Sequence, residues 1–231
     1  RGVLPDVPDT DPPKTMDFQM WVGPAPFQPY NPEKVHYNWH WQREYGTGEM
    51  GNWGAHWLDV CRWFAGVDYP SGASGHGGQF VVNDIKEWPD TQTIVYEFPR
   101  LTLLWEQRIW TNYGINDKRS GSEIAGDKGS IIIDRSGWTF YPTEGEPEQH
   151  RGSELDVAHA RSFAEAIRAG KPSNTPIEEG YKSAVLCHLG NIVATVGRPV
   201  RFDPETQHIV GDDEARAMES RDYRAPWAGL V

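Results

Sequence analysis

The residues best suited to chemistry lie on one predicted helix, which begins near Gly48. Four of its residues project on one side at about 100° per residue: Asn52, His56, Asp59 and Trp63. An imidazole beside an amide and a carboxylate can transfer a proton or bind the hydroxyl groups of a polyhydroxylated molecule. A His and an Asp three residues apart are also typical of two side chains that only satisfy each other. The opposite, apolar face is predicted to contain Trp57, Val60, Cys61 and Phe64.

Just before this helix, Gly46, Gly48 and Gly51 have the G-x-G-x-x-G spacing of a dinucleotide-binding loop. That loop must follow a buried parallel strand and open a βαβ unit. The preceding segment "WHWQREY" is too polar for such a strand, and a Gly/Ser-rich loop follows the helix. We therefore expect no cofactor site in this chain and no binding of NAD(H) by the chain alone.

The segment "HYNWHW", His36 to Trp41, alternates polar and aromatic residues with the period of a strand. On a strand, His36 and His40 would lie about 13 Å apart at ~3.3 Å per residue, so no metal site is predicted. The tryptophans suit stacking against a sugar ring, and core packing explains them equally well. The candidate substrate-binding residues are His40, Arg43, Tyr45, Trp53, Asp59 and Trp39.

Two predicted helices and a series of strands must position these residues. The helices are "LDVAHARSFAEAIRAG", ended by Gly170, and "PIEEGYKSAVLCHLGNIVATVG", ended by Gly197. The strand candidates, separated by short turns, are "QFVVND", "TQTIVYEF", "LTLLWEQRIW", "SEIAG", "SIIID" and "GWTFYP". This pattern predicts an α+β fold: a large, mostly antiparallel open sheet, with helices packed on one face and no Rossmann domain.

Large side chains on both faces of "TQTIVYEF" and "LTLLWEQRIW" indicate a sheet that is covered on both sides. We expect helices on one side and another subunit on the other, which makes a homo-oligomer. Residues 1–35 are rich in proline and are predicted to run extended over the domain, held by Trp21, Phe27 and Tyr30. Residues 36–231 are predicted to form the α/β domain itself.

Composition excludes several classes of partner. The formal net charge is -11 and no Lys/Arg stripe could neutralise phosphates, so nucleic acid is not expected. No run approaches the roughly 18 apolar residues of a membrane span. Cys61 and Cys187 are predicted to be buried thiols. The absence of an initiator Met and the Pro/Asp-rich start lead us to expect a piece of a longer chain.

The motifs together resemble the Gfo/Idh/MocA oxidoreductases, a family named for glucose-fructose oxidoreductase and inositol dehydrogenase. The resemblance covers nearly the whole chain. It rests on "MDFQMWVGPAPFQPYNP", "YGTGEMGNWGAHWLDVCRW", "GSEIAGDKGSIIID", "HARSFAEAIRAGKPSNTPIEEGYKSAVLCHLGNIV" and "RFDPETQHIVGDDEARAMESRDYRAPW". It is a resemblance to the C-terminal domain, whose fold is like that of the C-terminal domain of glyceraldehyde-3-phosphate dehydrogenase.

The resemblance implies a bacterial parent enzyme, cytoplasmic or periplasmic, that uses NAD or NADP to oxidise or reduce a sugar or polyol. Its N-terminal Rossmann domain would carry the cofactor and a catalytic lysine. Relatives have a D-x-x-x-H pair at the active site. His56 falls on this histidine, and Asn52 falls where the aspartate is expected. The alternatives are a non-catalytic carbohydrate-binding or oligomerising domain without the nucleotide-binding half, and an enzyme that cleaves glycosides through an internal redox cycle.

Overall fold

The computed structural model describes residues 2–114 and 118–229. The outer limits of the predicted domains, at residues 1 and 231, lie outside the described residues. Within these residues the α-helices are α1 (Phe18–Val22), α2 (Ala55–Ala65), α3 (Leu155–Ala169), α4 (Ile177–Val196) and α5 (Asp213–Ala217). A 3₁₀ helix spans Asn38–Trp41, and a π-helix spans Met50–Gly54.

In the part of the chain that the structure describes, nine strands form two antiparallel sheets. The strands are β1 (Gly72–Gly78), β2 (Thr91–Phe98), β3 (Leu101–Arg108), β4 (Ser122–Gly126), β5 (Gly129–Asp134), β6 (Gly137–Pro142), β7 (Glu148–Arg151), β8 (Val200–Asp203) and β9 (His208–Val210). One sheet has the order β3-β2-β1-β8-β9, and the other has the order β4-β5-β6-β7. Antiparallel sheets with few helices and no Rossmann fold confirm the predicted fold class, although the strands do not form one continuous meander.

The chain divides into two compact units. Unit 1 comprises Arg1–Ala55, Asp68–Trp110 and Ala184–Val231, and it contains the five-stranded sheet. Unit 2 comprises His56–Val67 and Thr111–Ser183, and it contains the four-stranded sheet. Two of the boundaries between the units fall within helices, one in α2 and one in α4.

In unit 1, the C-terminal part of α4 packs against β2. The Tyr96 hydroxyl donates to the Leu186 carbonyl at 2.7 Å, and Gln92 Nε2 donates to the Gly190 carbonyl at 3.0 Å. Gly190 is required for this approach, because an added Cβ would lie 2.5 Å from both Met50 Cε and Tyr96 Oη. Gln92, Ile94 and Tyr96 are all fully buried, so this face of β2 is the centre of the unit 1 core.

The other face of β2 and β3 is open to solvent in the single chain. Its cross-strand neighbours are Val95 with Leu104, Thr93 with Glu106, and Glu97 with Thr102. Leu104 is 59% exposed, while the surrounding residues are mostly polar. The burial of the two strands therefore alternates strictly, and what covers the outer face in an assembly stays a prediction.

The N-terminal segment lies against unit 1, with a short helix that the sequence pattern did not predict. Phe18 in α1 contacts the three expected aromatic anchors: Trp21 (5.6 Å between ring centroids), Phe27 (5.9 Å) and Tyr30 (5.3 Å). Phe18 is buried, so it is the centre of this aromatic cluster.

Three local predictions were wrong. The segment "HYNWHW" contains the 3₁₀ helix Asn38–Trp41 and no strand, because alternation over so few residues does not distinguish the two structures. "QFVVND" is irregular. The glycine-rich stretch that was expected to be a loop contains β1, which pairs with β2 along its whole length.

Candidate functional site

The three glycines before α2 are each explained by packing within unit 1. An added Cβ at Gly46 would lie 2.3 Å from the His40 Cα, and one at Gly51 would lie 1.6 Å from the Thr47 hydroxyl. Gly48 has φ +66°, and an added Cβ would lie 2.6 Å from the Trp88 Cβ and 2.8 Å from its Cγ. None of these positions leaves an open backbone cradle for a pyrophosphate, so the G-x-G-x-x-G spacing arises here from the tight entry into the helix.

Helix α2 presents one exposed face and one buried face. His56 lies in its first turn and is exposed, and Trp63 is 74% exposed on the same side. Trp57, Leu58 and Arg62 form the buried side. The predicted apolar face is therefore corrected: Phe64 is half-exposed, and the buried Arg62 takes the place expected for an apolar side chain.

Arg62 fixes the position of α2 within unit 2. Its guanidinium donates to Glu179 Oε2 at 2.6 Å, to the Ser183 hydroxyl at 3.1 Å and to the Val67 carbonyl at 3.2 Å. Asp59 joins the same network, since its carboxylate accepts from the Ser183 hydroxyl at 2.5 Å and lies 3.5 Å from Arg62. Asp59, predicted as a substrate-binding residue, is thus engaged by protein groups.

Asn52 lies in the π-helical segment Met50–Gly54, in unit 1. Its amide nitrogen lies 3.4 Å from the Glu49 carboxylate, one turn earlier. A π-helix closes i→i+5 hydrogen bonds, so the 100° spacing used to align Asn52 with His56 does not hold through this segment. Glu49 did not stand out in the sequence pattern, and its carboxylate is a neighbour of Asn52 in the structure.

A cavity of about 390 Å³ in unit 1 contains two of the predicted substrate-binding residues, Trp39 and Tyr45. Trp21 meets the Tyr45 ring edge-on at 4.9 Å between centroids. The other lining residues are Val22, Pro24, Ala25, Pro26, Glu44, Arg221, Asp222 and Tyr223. Aromatic walls with carboxylates and a guanidinium at the margin can hold a sugar ring by stacking and by hydrogen bonds to its hydroxyls.

The Tyr45 hydroxyl is buried and has no hydrogen-bond partner among the described residues. Burial, followed by the nearby Glu44 carboxylate, raises the pKa of this phenol. Tyr45 is therefore neutral at physiological pH and can donate a hydrogen bond.

The other three predicted substrate-binding residues have structural neighbours. His40 is buried, with Nδ1 2.5 Å from the Tyr37 carbonyl oxygen. The Arg43 guanidinium lies 4.5 Å from the centre of the Trp88 ring and donates to the Thr195 hydroxyl at 3.2 Å. Trp53 is half-buried in the π-helix.

Within the residues that the structure describes, no three His, Cys, Asp or Glu side chains come together as metal ligands would. Across the same residues, no helix combines the length and the apolar character of a membrane span.

The fold is similar to that of solved oxidoreductases at low sequence identity. An oxidoreductase from Thermotoga maritima is 14% identical with a TM-score of 0.56, over 72% of this chain and 51% of that one. One from Klebsiella pneumoniae is 16% identical with a TM-score of 0.53, over 75% of this chain and 53% of that one. One from Agrobacterium radiobacter, solved in complex with NAD+, L-tartaric acid and magnesium, is 18% identical (TM-score 0.52; 66% and 48%). The chain spans about half the length of these structures.

The antiparallel α/β architecture is thus that of oxidoreductase C-terminal domains. The model of an oxidoreductase family's C-terminal alpha/beta domain matches residues 5–102 and 146–229, which is more than half of the chain. The chain belongs to the Gfo/Idh/MocA oxidoreductases and comprises their C-terminal domain. No curated protein matches it.

Proposed function

We propose that this chain is the substrate-binding and oligomerisation domain of a NAD(P)-dependent oxidoreductase that acts on a CH–OH group of a sugar or polyol. The observation that supports the proposal is the exposed His56 in the first turn of α2, the residue that the sequence resemblance aligns with the family's histidine. The buried Arg62 network anchors the helix within unit 2. An exposed, firmly held imidazole suits proton transfer to or from a bound substrate.

His56 handles the hydroxyl proton in this proposal. In the oxidation direction, the neutral imidazole accepts the proton of the carbinol hydroxyl while a hydride leaves the same carbon, and in reduction the imidazolium returns the proton. The nicotinamide supplies the hydride chemistry. A Rossmann domain of the same protein would hold the cofactor and contribute the second proton-handling group, a lysine, because the glycines of this chain do not form a cradle.

The unit 1 cavity is proposed as a separate place where a sugar binds, since His56 belongs to unit 2 and is not among the residues that line the cavity. Trp39 and Trp21 offer apolar faces to a pyranose ring, and the Glu44 and Asp222 side chains can accept hydrogen bonds from its hydroxyls. One arginine and two carboxylates leave the polar margin of the cavity slightly negative, which favours a neutral sugar over an anionic one.

A second candidate is a domain that binds carbohydrate or oligomerises without catalysing a reaction. Asn52 favours it, because an amide cannot raise the basicity of an imidazole as an aspartate does. The aromatic cavity would serve binding equally well in either case.

The test is sugar-dependent reduction of NAD(P)+ by the intact protein, with a panel of neutral sugars and polyols. Trp39→Ala should weaken sugar binding, measured by calorimetric titration, by about tenfold or more, since the stacking wall of the cavity is lost. Trp110→Ala is the matched control, because Trp110 is also partly exposed in unit 1 and lies outside the cavity lining. Sugar binding without reduction would select the second candidate, and no binding of any sugar would contradict both.

A further inference from the structure

A second concave surface lies on the four-stranded sheet of unit 2. Antiparallel register places Ile132, Thr139 and Gln149 side by side across β5, β6 and β7. Two residues further along, Asp134, Gly137 and Arg151 form the next row. Since residues two apart on a strand share a face, both rows lie on the same side of the sheet.

Gly137 makes a gap in the second row. It lies between Asp134 and Arg151, which are about 10 Å apart across two strand spacings of ~4.8 Å. Its φ is +142°, and an added Cβ would lie 2.0 Å from the His150 carbonyl oxygen, so no side chain can fill the gap. We call this concavity, of about 440 Å³ and lined by residues of β5, β6 and β7 and by Lys118, the Gly137 notch.

The charges around the notch are unequal. Lys118 pairs with Asp134 at 2.9 Å, so their charges offset each other. Arg151, on the opposite side, makes no ion pair or side-chain hydrogen bond among the described residues. The notch therefore has a net positive charge in a chain whose formal net charge is -11.

The remaining lining groups suit hydroxylated ligands. Thr139 and Gln149 each offer a donor and an acceptor, and neither side chain has a partner among the described residues. The Tyr141 ring lies on the same face, two residues from Thr139, and is 45% exposed. The notch therefore combines an aromatic ring for stacking, amide and hydroxyl groups, and an unpaired guanidinium.

We propose that the Gly137 notch binds a small polyhydroxylated carboxylate, a sugar acid of the hexuronate class. Arg151 binds the carboxylate through paired N–H groups. Thr139, Gln149 and the Asp134 carboxylate bind the ring hydroxyls, and Tyr141 covers one face of the ring. This site is separate from the unit 1 cavity, where we place a neutral sugar.

The test is calorimetric titration of the whole chain with glucuronate, with glucose as the neutral match and inorganic phosphate as a plain anion. Glucuronate should bind at least about tenfold more tightly than glucose or phosphate. Arg151→Gln should weaken glucuronate binding by about tenfold or more. Arg161→Gln, which removes the same charge from an exposed position on α3 in the same unit, should leave it unchanged.

Three results would overturn the proposal. The first is equal binding of glucose and glucuronate. The second is equal weakening by Arg151→Gln and Arg161→Gln, which would show only a general attraction for anions. The third is loss of glucuronate binding in Trp39→Ala with full binding in Arg151→Gln, which would place the acid in the unit 1 cavity. Since the titration needs neither cofactor nor turnover, its result is independent of the His56 chemistry.

Discussion

The side chains of Asn52 and His56 have different surroundings. His56 is exposed on α2, a helix that the buried Arg62 anchors within unit 2. Asn52 has the Glu49 carboxylate as its neighbour, one turn earlier. Asn52 therefore adds no charge next to Glu49, and replacing it by aspartate would introduce a like-charge pair.

Asn52→Asp should be tolerated, but it should lower the free energy of unfolding by roughly 0.2–0.5 kcal/mol. The new carboxylate would lie about 3.4 Å from the Glu49 carboxylate, and like charges repel. Glu49→Gln/Asn52→Asp, where the like charge is absent, should not show this loss. Urea unfolding of the two variants tests this. Equal stability of the two variants would show that the carboxylates do not interact.

Asp59→Asn tests the structural role of this residue. Its carboxylate is partly exposed and shares Ser183 and Arg62 with the network of unit 2, so the substitution should cost about 1 kcal/mol of stability. KM should stay unchanged. Urea unfolding and steady-state kinetics on the same preparation separate the two effects. A KM raised tenfold with unchanged stability would instead show that Asp59 contacts the substrate.

Among the helices and strands, periodicity predicted those with strong local signals in the sequence. β2 and β3 alternate strictly, and α3 and α4 end at Gly170 and Gly197 as predicted. β1 was missed because its four glycines have low strand propensity. Its pairing with β2 holds it instead, and Gly75 is needed because an added Cβ would lie 2.1 Å from the Thr93 carbonyl oxygen.

The candidate site was also predictable only in part, because its residues lie far apart in the sequence. Trp39 and Tyr45 stood out because they lie close in sequence to the glycine-rich helix start. Arg221, Asp222 and Tyr223 line the same cavity but come more than 170 residues later. No local pattern connects them with Tyr45, since the tertiary fold alone brings them together.

The loop before β2 depends on one buried carboxylate, Asp90. It accepts hydrogen bonds from the backbone N–H groups of Phe80, Val81 and Val82 and from the Thr91 hydroxyl. Asp90→Asn should cost about 2 kcal/mol of stability, because an amide cannot accept all of these bonds. Urea unfolding measures the loss, and Asp11→Asn, at an exposed position, is the control.

For Asp90→Asn we also predict how the loss of stability depends on pH. Burial raises the pKa of Asp90, but the hydrogen bonds from Val82, Thr91, Val81 and Phe80 outweigh it and hold the pKa below the ordinary 3.8. A depressed pKa in the folded state stabilises the protein above the unfolded value and loses its effect as the pH falls through the folded one. The difference between wild type and Asp90→Asn should therefore be constant at neutral pH and shrink below about pH 4. A difference that grows on acidification would contradict this assignment.

At the scale of the whole molecule, the predicted homo-oligomer requires contact through the open face of β2 and β3. Val95 and Leu104 form a cross-strand apolar pair at its centre, surrounded by threonines and charged residues. Leu104→Glu should weaken self-association at least about tenfold, because it buries an unpaired charge at the centre of the interface.

Sedimentation equilibrium over a range of protein concentrations measures this effect. Ile177→Glu is the control, because Ile177 is 82% exposed and belongs to unit 2, whereas the β2–β3 face belongs to unit 1. A wild-type monomer at high micromolar concentration would contradict the prediction. Equal weakening by both variants would place the contact elsewhere.

The proposed function depends most on His56 as the group that transfers the substrate proton, and the turnover of His56→Ala in the intact protein tests this role. Because His56 is exposed, the variant should fold like the wild type, as far-UV circular dichroism would show. Its kcat for sugar-dependent reduction of NAD(P)+ should fall by roughly 10²-fold or more, with a small change in KM. His159→Ala, at an exposed position on α3, should be unaffected. A folded His56→Ala variant with wild-type turnover would contradict the role of His56 in proton transfer.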